Sequence, residues 1–302
     1  MYMEKLLSLR SSYTHGLGWG LSFDWMSKIG FFKKGVPFIT SSAYGIEVLF
    51  YLYTLTNKDI YMDYILSSLD FLEKDLQVLF ESDRYLVKTY SIFKENRMVF
   101  NSNSYLMYLY SLYYKYKITK KPEIFLEKAE KIFNWLADFQ NTDGSWFFFN
   151  DNLPGNFIDC FHHCFILKNI WKSSRILGPE SGVIFNKGFG FLKSFFAHPK
   201  SKFLPLRFVI SDRIILVKFD LYDAAEYFNL LVLTGRIKTA EKVLNAILRM
   251  FSDRRGNLYS KINIFGFKTC KWNLRWGIMP LFLAYSNYLL KKNKLKLFHE
   301  ID

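Results

Sequence analysis

Apolar residues recur along the chain at helical spacing, in helices of two kinds. Helices of the first kind open with polar residues and continue as nearly unbroken apolar sequence, and their predicted starts are Ser41, Ser102, Asp159, Leu221 and Arg275. These starts recur at a nearly constant interval of roughly 60 residues, which indicates a repeat array. Helices of the second kind carry Lys and Glu on one face and are predicted over 59–76, 123–140, 182–196 and 238–251. Each repeat is therefore predicted to be a helical hairpin with one buried and one half-exposed helix.

Extended segments precede the buried helices and are predicted at 84–100, 146–157, 203–219 and 256–271. If the hairpins curve into a ring, the N-termini of the buried helices meet at one end of it. Those termini carry unpaired N–H groups and a partial positive charge, which suit anionic or hydroxyl-rich ligands. The predicted fold class is all-α: an α/α toroid of five to six helical hairpins, complete or incomplete, with short β-hairpins between repeats. A short helix is also predicted near residues 2–9.

Composition favours one large domain without a membrane span. The chain has 302 residues, of which 50% are hydrophobic, and no low-complexity linker divides it, so a single domain over 1–302 is expected. No stretch long enough to cross a bilayer is both apolar and uncharged, which argues against a transmembrane helix. The first residues lack the features of a secretory signal, so a cytoplasmic protein is expected. Three cysteines do not make a disulfide framework.

The net charge of +14 has two readings. It indicates an anionic partner, such as an acidic polysaccharide or the inner leaflet of a membrane, or it reflects the Lys-, Asn- and Phe-rich composition that an A- and T-rich genome gives. The basic segment 291–296 is expected to be a solvated helix end or a contact for lipid head groups at the inner membrane. No nucleic-acid partner is expected, since no motif of a nucleic-acid reader is present.

Gln140, Gly144 and Trp146 form a Gln-x-x-x-Gly-x-Trp segment at the end of a predicted half-exposed helix. Gln140 is expected to cap the helix, Gly144 to turn the chain and Trp146 to stack back over the helix end. The segment resembles the Gln-Trp staple of toroid proteins, which implies a mechanical role.

The densest polar cluster surrounds Asp159. On a helix Asp159, His162 and His163 share one face, so a carboxylate and an imidazole can act together as general acid and base. The alternative is that Asp159 only caps the helix and that His162 is a core histidine. Cys160 and Cys164 lie one turn apart, but one helix cannot close a tetrahedral zinc site, so no metal is predicted.

Other predicted helix starts carry polar or aromatic residues of the kind that bind sugars. In such sites the rings cover the C–H faces of the sugar, and amides or carboxylates form hydrogen bonds with its hydroxyl groups. For each of these segments, a cap or a core patch is the alternative reading. The segments are Trp19 to Trp25, Asn101 to Ser104, Asp220 to Asp223 with Glu226, and Trp272 to Trp276.

Five motifs carry a resemblance that covers most of the chain: Trp-Gly-x-x-Phe-Asp-Trp at 19–25, Asn-Ser-Asn at 101–103, Gln-x-x-x-Gly-x-Trp at 140–146, Ile-Asp-x-Phe-His at 158–162 and Arg-Trp-Gly at 275–277. In this order they resemble a family of bacterial, six-hairpin-glycosidase-like α/α-toroid proteins encoded with exopolysaccharide, capsule and O-antigen genes. The resemblance implies a role in polysaccharide biosynthesis, with pocket residues Asp24, Asn101, Asn103, Asp159, His162, Arg275 and Trp276. The chain departs from the pattern at Phe100, where a histidine is expected, and at His163-Cys164, where small residues are expected.

The leading hypothesis is a carbohydrate-active enzyme that works by acid/base chemistry on a surface glycan, a uronic-acid-containing oligosaccharide or a lipid-linked precursor, without a cofactor. Glycoside hydrolysis would use two of the carboxylates of Asp24, Asp159, Asp220 and Asp223. Lyase or epimerase chemistry would use a His or Tyr base beside Arg or Asn, and the sequence does not choose between these reactions. The predicted catalytic residues are Asp159, His162 and Asp24, and the predicted substrate-binding residues are Trp19, Trp25, Asn101, Asn103, Tyr222, Asp223, Arg275 and Trp276.

Two other classes compete with this hypothesis. The first is a non-catalytic glycan-binding or assembly factor at the membrane. The second is a prenyl-handling toroid. The aromatic content of 20% favours it, but the sequence lacks the aspartate clusters that bind a diphosphate.

Overall fold

The computed structural model describes residues 2–93, 96–196, 203–211 and 214–300. The chain divides into two compact units. The first contains Met1–Phe139, Phe149–Asp151 and Ser173–Pro179, and the second contains Gln140–Phe148, Asn152–Lys172 and Glu180–Asp302. The expectation of a single domain stays a prediction.

Helices dominate the first unit. They are α1 (Tyr2–Ser8), α2 (Ile39–Thr56), α3 (Asp59–Asp70), α4 (Phe100–Lys115) and α5 (Glu123–Asp138), and α3 continues as a π-helical turn over Phe71–Asp75. α2 packs on α3 and on α4, and α4 packs on α5. The α4 helix is buried at fourteen of its sixteen residues, whereas α5 is buried at six of sixteen. This confirms the predicted pairing of a buried helix with a half-exposed one.

Short antiparallel hairpins lie between the helices of the first unit. β1 (Trp25–Met26) pairs with β2 (Phe31–Phe32), and β3 (Val78–Glu81) pairs with β4 (Leu86–Lys88). The α4 helix begins directly after an extended residue, Val99, which bridges to Phe149.

The second unit repeats the hairpin pattern. It contains α6 (Cys160–Leu177) as far as Lys172, α7 (Pro179–Phe191) from Glu180 onward, α8 (Leu221–Leu233), α9 (Ile237–Phe251) and α10 (Met279–Lys292). A π-helical turn over Leu192–Phe196 follows α7. The α8 helix packs on α9 and α10, and twelve of its thirteen residues are buried. Two small sheets precede these helices. In the first, β5 (Ile158–Asp159), which leads into α6, pairs with β6 (Phe208–Ile210). In the second, β7 (Val217–Asp220), which leads into α8, pairs with β8 (Tyr259–Asn263), and β8 pairs with β9 (Lys268–Lys271).

The predicted helix starts agree with the structure to within two residues at four of the five positions, and Leu221 is matched to the residue. The start predicted at Arg275 is wrong. A π-helical turn occupies Leu274–Ile278, its Trp276 has φ −104° and ψ 31°, and α10 begins at Met279. Pro280 explains the later start, because proline has no N–H and is accommodated in the first turn of a helix.

Within the described part of the chain, no helix combines the length and the apolar character needed to cross a bilayer.

Candidate active site

Asp159 lies where a strand turns into a helix. It is the second residue of β5 and directly precedes α6. Its partner across the sheet is Phe208 in β6, and the N–H of Cys160 donates to the carbonyl of Arg207 at 3.2 Å. The sheet therefore brings Arg207 beside Asp159 although the two are far apart in sequence.

Asp159 holds His162 through the backbone and through the side chain. The N–H of His162 donates to Asp159 Oδ1 at 3.2 Å, which is the hydrogen bond of a helix cap. The His162 Nδ1 lies 2.8 Å from both Asp159 Oδ1 and Oδ2. The Asp159 side chain is 2% exposed and that of His162 is 20% exposed. The carboxylate thus orients the imidazole through its contact with Nδ1, and Nε2 lies on the opposite side of the ring.

Two further carboxylates belong to the same cluster. Asp220 caps α8, because its Oδ1 accepts from the N–H of Tyr222 at 3.0 Å, and its Oδ2 accepts from the Arg207 guanidinium. Asp223 is fully buried, and its Oδ1 accepts from the N–H of Phe161 at 3.0 Å. Among the described residues, Asp223 Oδ2 has no hydrogen-bond partner.

Burial sets the protonation of these two acids. Burial raises the pKa of Asp223 well above its ordinary value, and the neighbouring charges of Asp220 and Asp159 raise it further against the opposing pull of Arg207. Burial also raises the pKa of Asp220, with the Arg207 charge and the Tyr222 amide opposing. The pKa of Arg207 is raised: its burial lowers it, but the charges of Asp223, Asp220 and Asp159 more than compensate. Asp223 is therefore favoured as a neutral acid, while Arg207 neutralises Asp220.

Aromatic rings surround the imidazole. The ring centroid of His162 lies 3.8 Å from that of Phe161 and 4.6 Å from that of Phe148. Phe161 in turn stacks on Tyr222 at 4.9 Å with an interplanar angle of 25°. Phe161, His162 and Tyr222 are all partly exposed. Together they form a titratable group next to flat apolar faces, a combination suited to a sugar ring.

His163 does not join this pair, so the expectation that it shares the face of Asp159 and His162 is wrong. It is 2% exposed, its Nε2 lies 2.9 Å from the carbonyl of Gly188 in α7, and its ring packs on Trp146 at 5.3 Å. Burial lowers the pKa of His163 to about 4. It belongs to the helix packing rather than to the polar cluster.

The two cysteines of α6 are buried free thiols, with sulfurs 3.9 Å apart. Within the described residues, no three or more His, Cys, Asp and Glu side chains are grouped so as to hold a metal ion.

The predicted staple segment contacts α7. Gln140 Nε2 donates to the carbonyls of Gly144 at 3.0 Å and Ile184 at 3.1 Å. Gly144 has φ +94°, and a Cβ there would lie 2.4 Å from the carbonyl oxygen of Lys187. Trp146 is 2% exposed and lies against His163 and Gly188. These contacts tie the segment to α7 and to His163 of α6, whereas Gln140 is expected to cap α5 and Trp146 to stack over the end of that helix. The contacts are mechanical, but the helix they position is α7.

In the first unit, Trp19 is 4% exposed, its Nε1 donates to the carbonyl of Leu6 at 2.8 Å, and its ring lies against Gly45. So enclosed a ring packs the core. Trp25 is partly exposed and packs on Phe32 with ring centroids 5.8 Å apart. Asp24 is exposed, and its Oδ1 accepts from the N–H of Lys34 at 2.8 Å.

The two asparagines at the start of α4 differ from each other. Asn103 is 1% exposed and bonds the backbone N–H of Lys88 at 2.9 Å, the carbonyl of Lys88 at 3.1 Å and the carbonyl of Val99 at 3.0 Å, so it ties β4 to the helix. Asn101 is 2% exposed, and its Oδ1 has no hydrogen-bond partner among the described residues. Phe100, where the resemblance leads us to expect a histidine, stacks on Trp135 at 4.5 Å.

Arg275 is exposed and lies over the ring of Trp276, 5.6 Å from its centroid. For both residues, as for the predicted site residues of the first unit, a role in ligand binding stays a prediction.

A cavity of about 360 Å³ lies in the first unit. Arg97, one of its two cationic lining residues, is paired with Asp151 at 2.6 and 2.7 Å and lies over Phe149 at 3.5 Å. It is lined by Lys28, Ile29, Gly30, Phe31, Phe32, Phe93, Asn96, Arg97 and Phe149, none of which was predicted as a site residue.

Sequence reasoning assigned no role to Arg207 or Phe161. Phe161 lies inside the predicted cluster, and its position beside two polar residues could have marked it. Arg207 had no such signal, because only the pairing of β5 with β6 brings it to Asp159.

No protein-family model matches the chain, and the search of curated proteins found no match. Solved structures do match. Cellobiose 2-epimerase from Bacillus thermoamylovorans superposes with a TM-score of 0.71 at 15% identity, covering 97% of this chain and 80% of that one. An α-mannanase of glycoside hydrolase family 76 from Bacteroides thetaiotaomicron gives 0.67 at 10% identity, covering 99% and 79%. A D-mannose isomerase gives 0.67 at 13% identity, covering 97% and 81%. The chain therefore has the predicted fold, an all-α α/α toroid with short β-hairpins.

Proposed function

We propose that this protein is a carbohydrate-acting enzyme in which His162, held by Asp159, transfers a proton to or from a sugar. The observation that carries the proposal is the orientation of the pair: both Asp159 oxygens lie 2.8 Å from His162 Nδ1, and the imidazole is the more exposed partner. This is how proteins orient a general base and stabilise the imidazolium that forms when it takes a proton.

The state of the carboxylates favours proton transfer over glycoside hydrolysis. Hydrolysis needs two carboxyl groups that reach the glycosidic bond directly. Asp159, Asp220 and Asp223 are 3%, 4% and 0% exposed, and each is engaged by a helix N-terminus, by Arg207 or by His162. The group that can reach a substrate is therefore the imidazole. The structural neighbours include a sugar epimerase and a sugar isomerase as well as a glycoside hydrolase, so this choice rests on the carboxylates and the imidazole of this chain.

The steps follow from the geometry. Phe161 and Tyr222 would cover the C–H face of a sugar ring beside His162. Nε2 would accept a proton from a sugar hydroxyl, or from the carbon next to the carbonyl of an open-chain sugar, whose carbonyl oxygen takes up the electron pair. Asp159 would stabilise the imidazolium until the proton returns to the sugar. Asp223, favoured in its neutral form, would add no negative charge next to the anion that develops on the sugar.

The finer substrate assignment rests on the sequence resemblance. It supports a sugar unit of a surface polysaccharide, or its lipid-linked precursor, handled in the cytoplasm at the inner membrane.

A glycan-binding protein without catalysis is the second candidate. Phe100 favours it, because this position carries a buried ring stacked on Trp135 in place of the histidine that the resemblance leads us to expect. Such a protein would bind sugar and transfer no proton.

Deuterium incorporation tests the proposal. In D2O, the wild-type protein should exchange a carbon-bound hydrogen of a hexose, a neutral oligosaccharide or a uronic-acid oligosaccharide, followed by NMR. His162→Gln and Asp159→Asn should lower the exchange rate about a hundredfold or more, because each removes the titrating base or the group that orients it. Asn caps helices about as well as Asp, so folding should be preserved.

His15 offers a matched control, because its Nδ1 lies 2.8 Å from Asp75 Oδ1 in a second His–Asp pair, of which the imidazole is exposed. His15→Gln should leave exchange unchanged. New reducing ends without exchange would favour hydrolysis instead, and sugar binding without exchange would favour the glycan-binding candidate.

A further inference from the structure

One end of the sheet formed by β7, β8 and β9 exposes a group of large apolar side chains. Ile264, Phe265 and Phe267 in the β8–β9 turn are 50%, 76% and 68% exposed. Leu216, just before β7, is 59% exposed and lies alongside, because its carbonyl accepts from the N–H of Ile264 at 2.9 Å. Single exposed apolar residues are ordinary, but a cluster of this kind indicates an interaction surface. We name these four residues the sheet tip.

The turn that presents the two phenylalanines is well ordered by its own hydrogen bonds. Asn263 Oδ1 accepts from the N–H of Phe265 at 3.0 Å and from that of Phe267 at 2.9 Å. Gly266 supplies the positive φ of +86° that the turn requires. The N–H of Asn263 donates to the carbonyl of Phe267 at 3.0 Å. Both rings are therefore held outward by the backbone.

The chain around the sheet tip is strongly basic. Residues 254–299 contain ten lysines and arginines and no aspartate or glutamate. Lys218 in β7 and Lys268 and Lys271 in β9 are exposed. Lys268 pairs with Ile262 next to the β8–β9 turn, and its ammonium donates to the carbonyl of Ser252. Arg254 and Arg255 are exposed in the turn at the other end of β8. The sheet that carries the apolar tip is thus basic along its length.

The sheet tip lies close to the candidate active site. Leu216 precedes Asp220 by four residues along extended chain, so at about 3.3 Å per residue the two are roughly 13 Å apart. The same strand, β7, ends at the carboxylate that caps α8.

We propose that the sheet tip docks on an anionic lipid bilayer, with Phe265 and Phe267 inserted among the head groups and the surrounding lysines and arginines against the lipid phosphates. Apolar insertion combined with cationic attraction is how peripheral proteins bind such membranes. A protein partner fits this surface less well, because lysine is depleted in protein–protein interfaces. An acidic glycan would use the cations and could stack on one ring face, but it would leave the other faces of the phenylalanines and the side chains of Leu216 and Ile264 in water. Docking is independent of the proposed reaction, since it is measured without turnover.

Vesicle co-sedimentation tests the docking. The wild-type protein should bind phosphatidylglycerol–phosphatidylcholine vesicles and bind pure phosphatidylcholine vesicles much more weakly. Phe265→Ala/Phe267→Ala should weaken binding to the anionic vesicles about tenfold or more through lost apolar insertion. Lys268→Gln/Lys271→Gln should do the same through lost attraction to the phosphates.

Matched controls come from the first unit. Phe80, 45% exposed on another β-hairpin, is the control for the phenylalanines, and Lys120→Gln/Lys121→Gln is the control for the charges. Neither Phe80→Ala nor the lysine pair should alter vesicle binding. All replaced side chains lie at the surface, so the variants should fold, as circular dichroism can verify.

Insertion has a second readout. In Phe265→Trp, the new indole should be quenched by brominated anionic lipids, whereas in Phe80→Trp it should not. Several results would overturn the proposal: wild-type protein that ignores anionic vesicles, equal binding by the Phe265→Ala/Phe267→Ala variant, or binding that is lost only when the lysines of 291–296 are replaced. A concentration-dependent dimer that this variant dissociates would also overturn it, by assigning the sheet tip to self-association.

Discussion

At the scale of single residues, the two readings of Asp159 are not alternatives. The residue that caps a helix lies three positions before the third helical residue. Here the cap is Asp159 and the third helical residue is His162. The Asp159 carboxylate accepts the backbone N–H of His162 and also contacts its ring. The sequence spacing was enough to predict this pair. The helix cap and the contact to the imidazole are thus made by the same carboxylate.

Neighbouring residues show where such reasoning stops. His162 and His163 are adjacent, but about 100° of helical rotation points one at Asp159 and the other at Gly188 in α7. Without knowing where α7 packs, the sequence could not separate their roles. Arg207 was out of reach for the same reason, because a strand pairing between distant segments decides its place.

The buried His163 makes stability depend on pH. Its pKa is lowered by burial to about 4, whereas a histidine in the unfolded chain has its ordinary value of about 6.5. Between these values the unfolded state binds a proton that the folded state does not. The contribution of the neutral His163 to the free energy of unfolding is therefore fully present above about pH 6.5. It is lost as the pH falls toward 4, at about 1.4 kcal/mol per pH unit.

Denaturant unfolding of wild type and His163→Gln between pH 4.5 and 7.5 measures this effect. The variant lowers stability throughout, but its stability should fall by about 2 kcal/mol less than that of wild type between pH 6.5 and 4.5. Asp223 titrates in the opposite sense, so only the difference between the two proteins is informative. His15→Gln is the control, because the side chain of His15 is 84% exposed. Parallel curves for wild type and His163→Gln would contradict the buried, neutral imidazole.

At the scale of elements, the sequence located the helices well because their signals are local. The start of α8 was predicted to the residue, since Asp220 caps it through the N–H of Tyr222. The start of α10 was missed because a π-helical turn and Pro280 shift it four residues from Arg275. The two-residue strand β5 is set by its partner β6, and no periodicity can reveal so short a strand.

Packing of α7 against α6 depends on one glycine. A Cβ at Gly188 would lie 2.8 Å from the Trp146 ring and 2.9 Å from Leu167, whereas a Cβ at Gly190, two residues on, meets nothing within 4 Å. Gly188→Ala should therefore destabilise the protein by roughly 1–3 kcal/mol through overpacking. Gly190→Ala should stabilise it by about 0.4–1 kcal/mol, because alanine favours the helix.

Thermal or denaturant unfolding of the two glycine variants measures the difference in their stability. Gly190→Ala is the control for Gly188→Ala, because it is the same substitution in the same helix. Deuterium exchange into sugar should persist in both folded variants, since both glycines lie in α7, outside the proposed catalytic pair. A stable Gly188→Ala variant would show that α7 can move away from α6 at little cost, against the close approach described above.

At the scale of the whole molecule, the repeat period was the informative signal. Near-constant intervals between helix starts predicted the α/α toroid, and the structural neighbours have that fold. The reaction was not predictable in the same way. It depends on which carboxylates are buried, and burial arises from packing between segments far apart in sequence.

Ligand-induced stabilisation separates the function classes for the whole protein. A ligand that binds the folded state at about 100 times its Kd should stabilise it by roughly 3 kcal/mol and raise the melting temperature by several degrees. Three groups are to be compared: neutral oligosaccharides, uronic-acid oligosaccharides and polyprenyl diphosphates. A carbohydrate-acting protein should respond to one of the first two.

The net charge of +14 dictates the control for this screen. Any polyanion is attracted to so basic a protein, so uronic acids and diphosphates can raise the melting temperature without occupying a site. Such attraction is screened at high ionic strength, whereas stacking on Phe161 and Tyr222 is not. A specific glycan should therefore keep most of its effect on the melting temperature in 0.5 M NaCl, where the Debye length is on the order of 4 Å. Phe161→Ala should abolish that salt-resistant part and His162→Gln should retain it, because the first removes a stacking face and the second only a proton acceptor. A salt-resistant response confined to polyprenyl diphosphates would instead make the protein a prenyl-handling toroid.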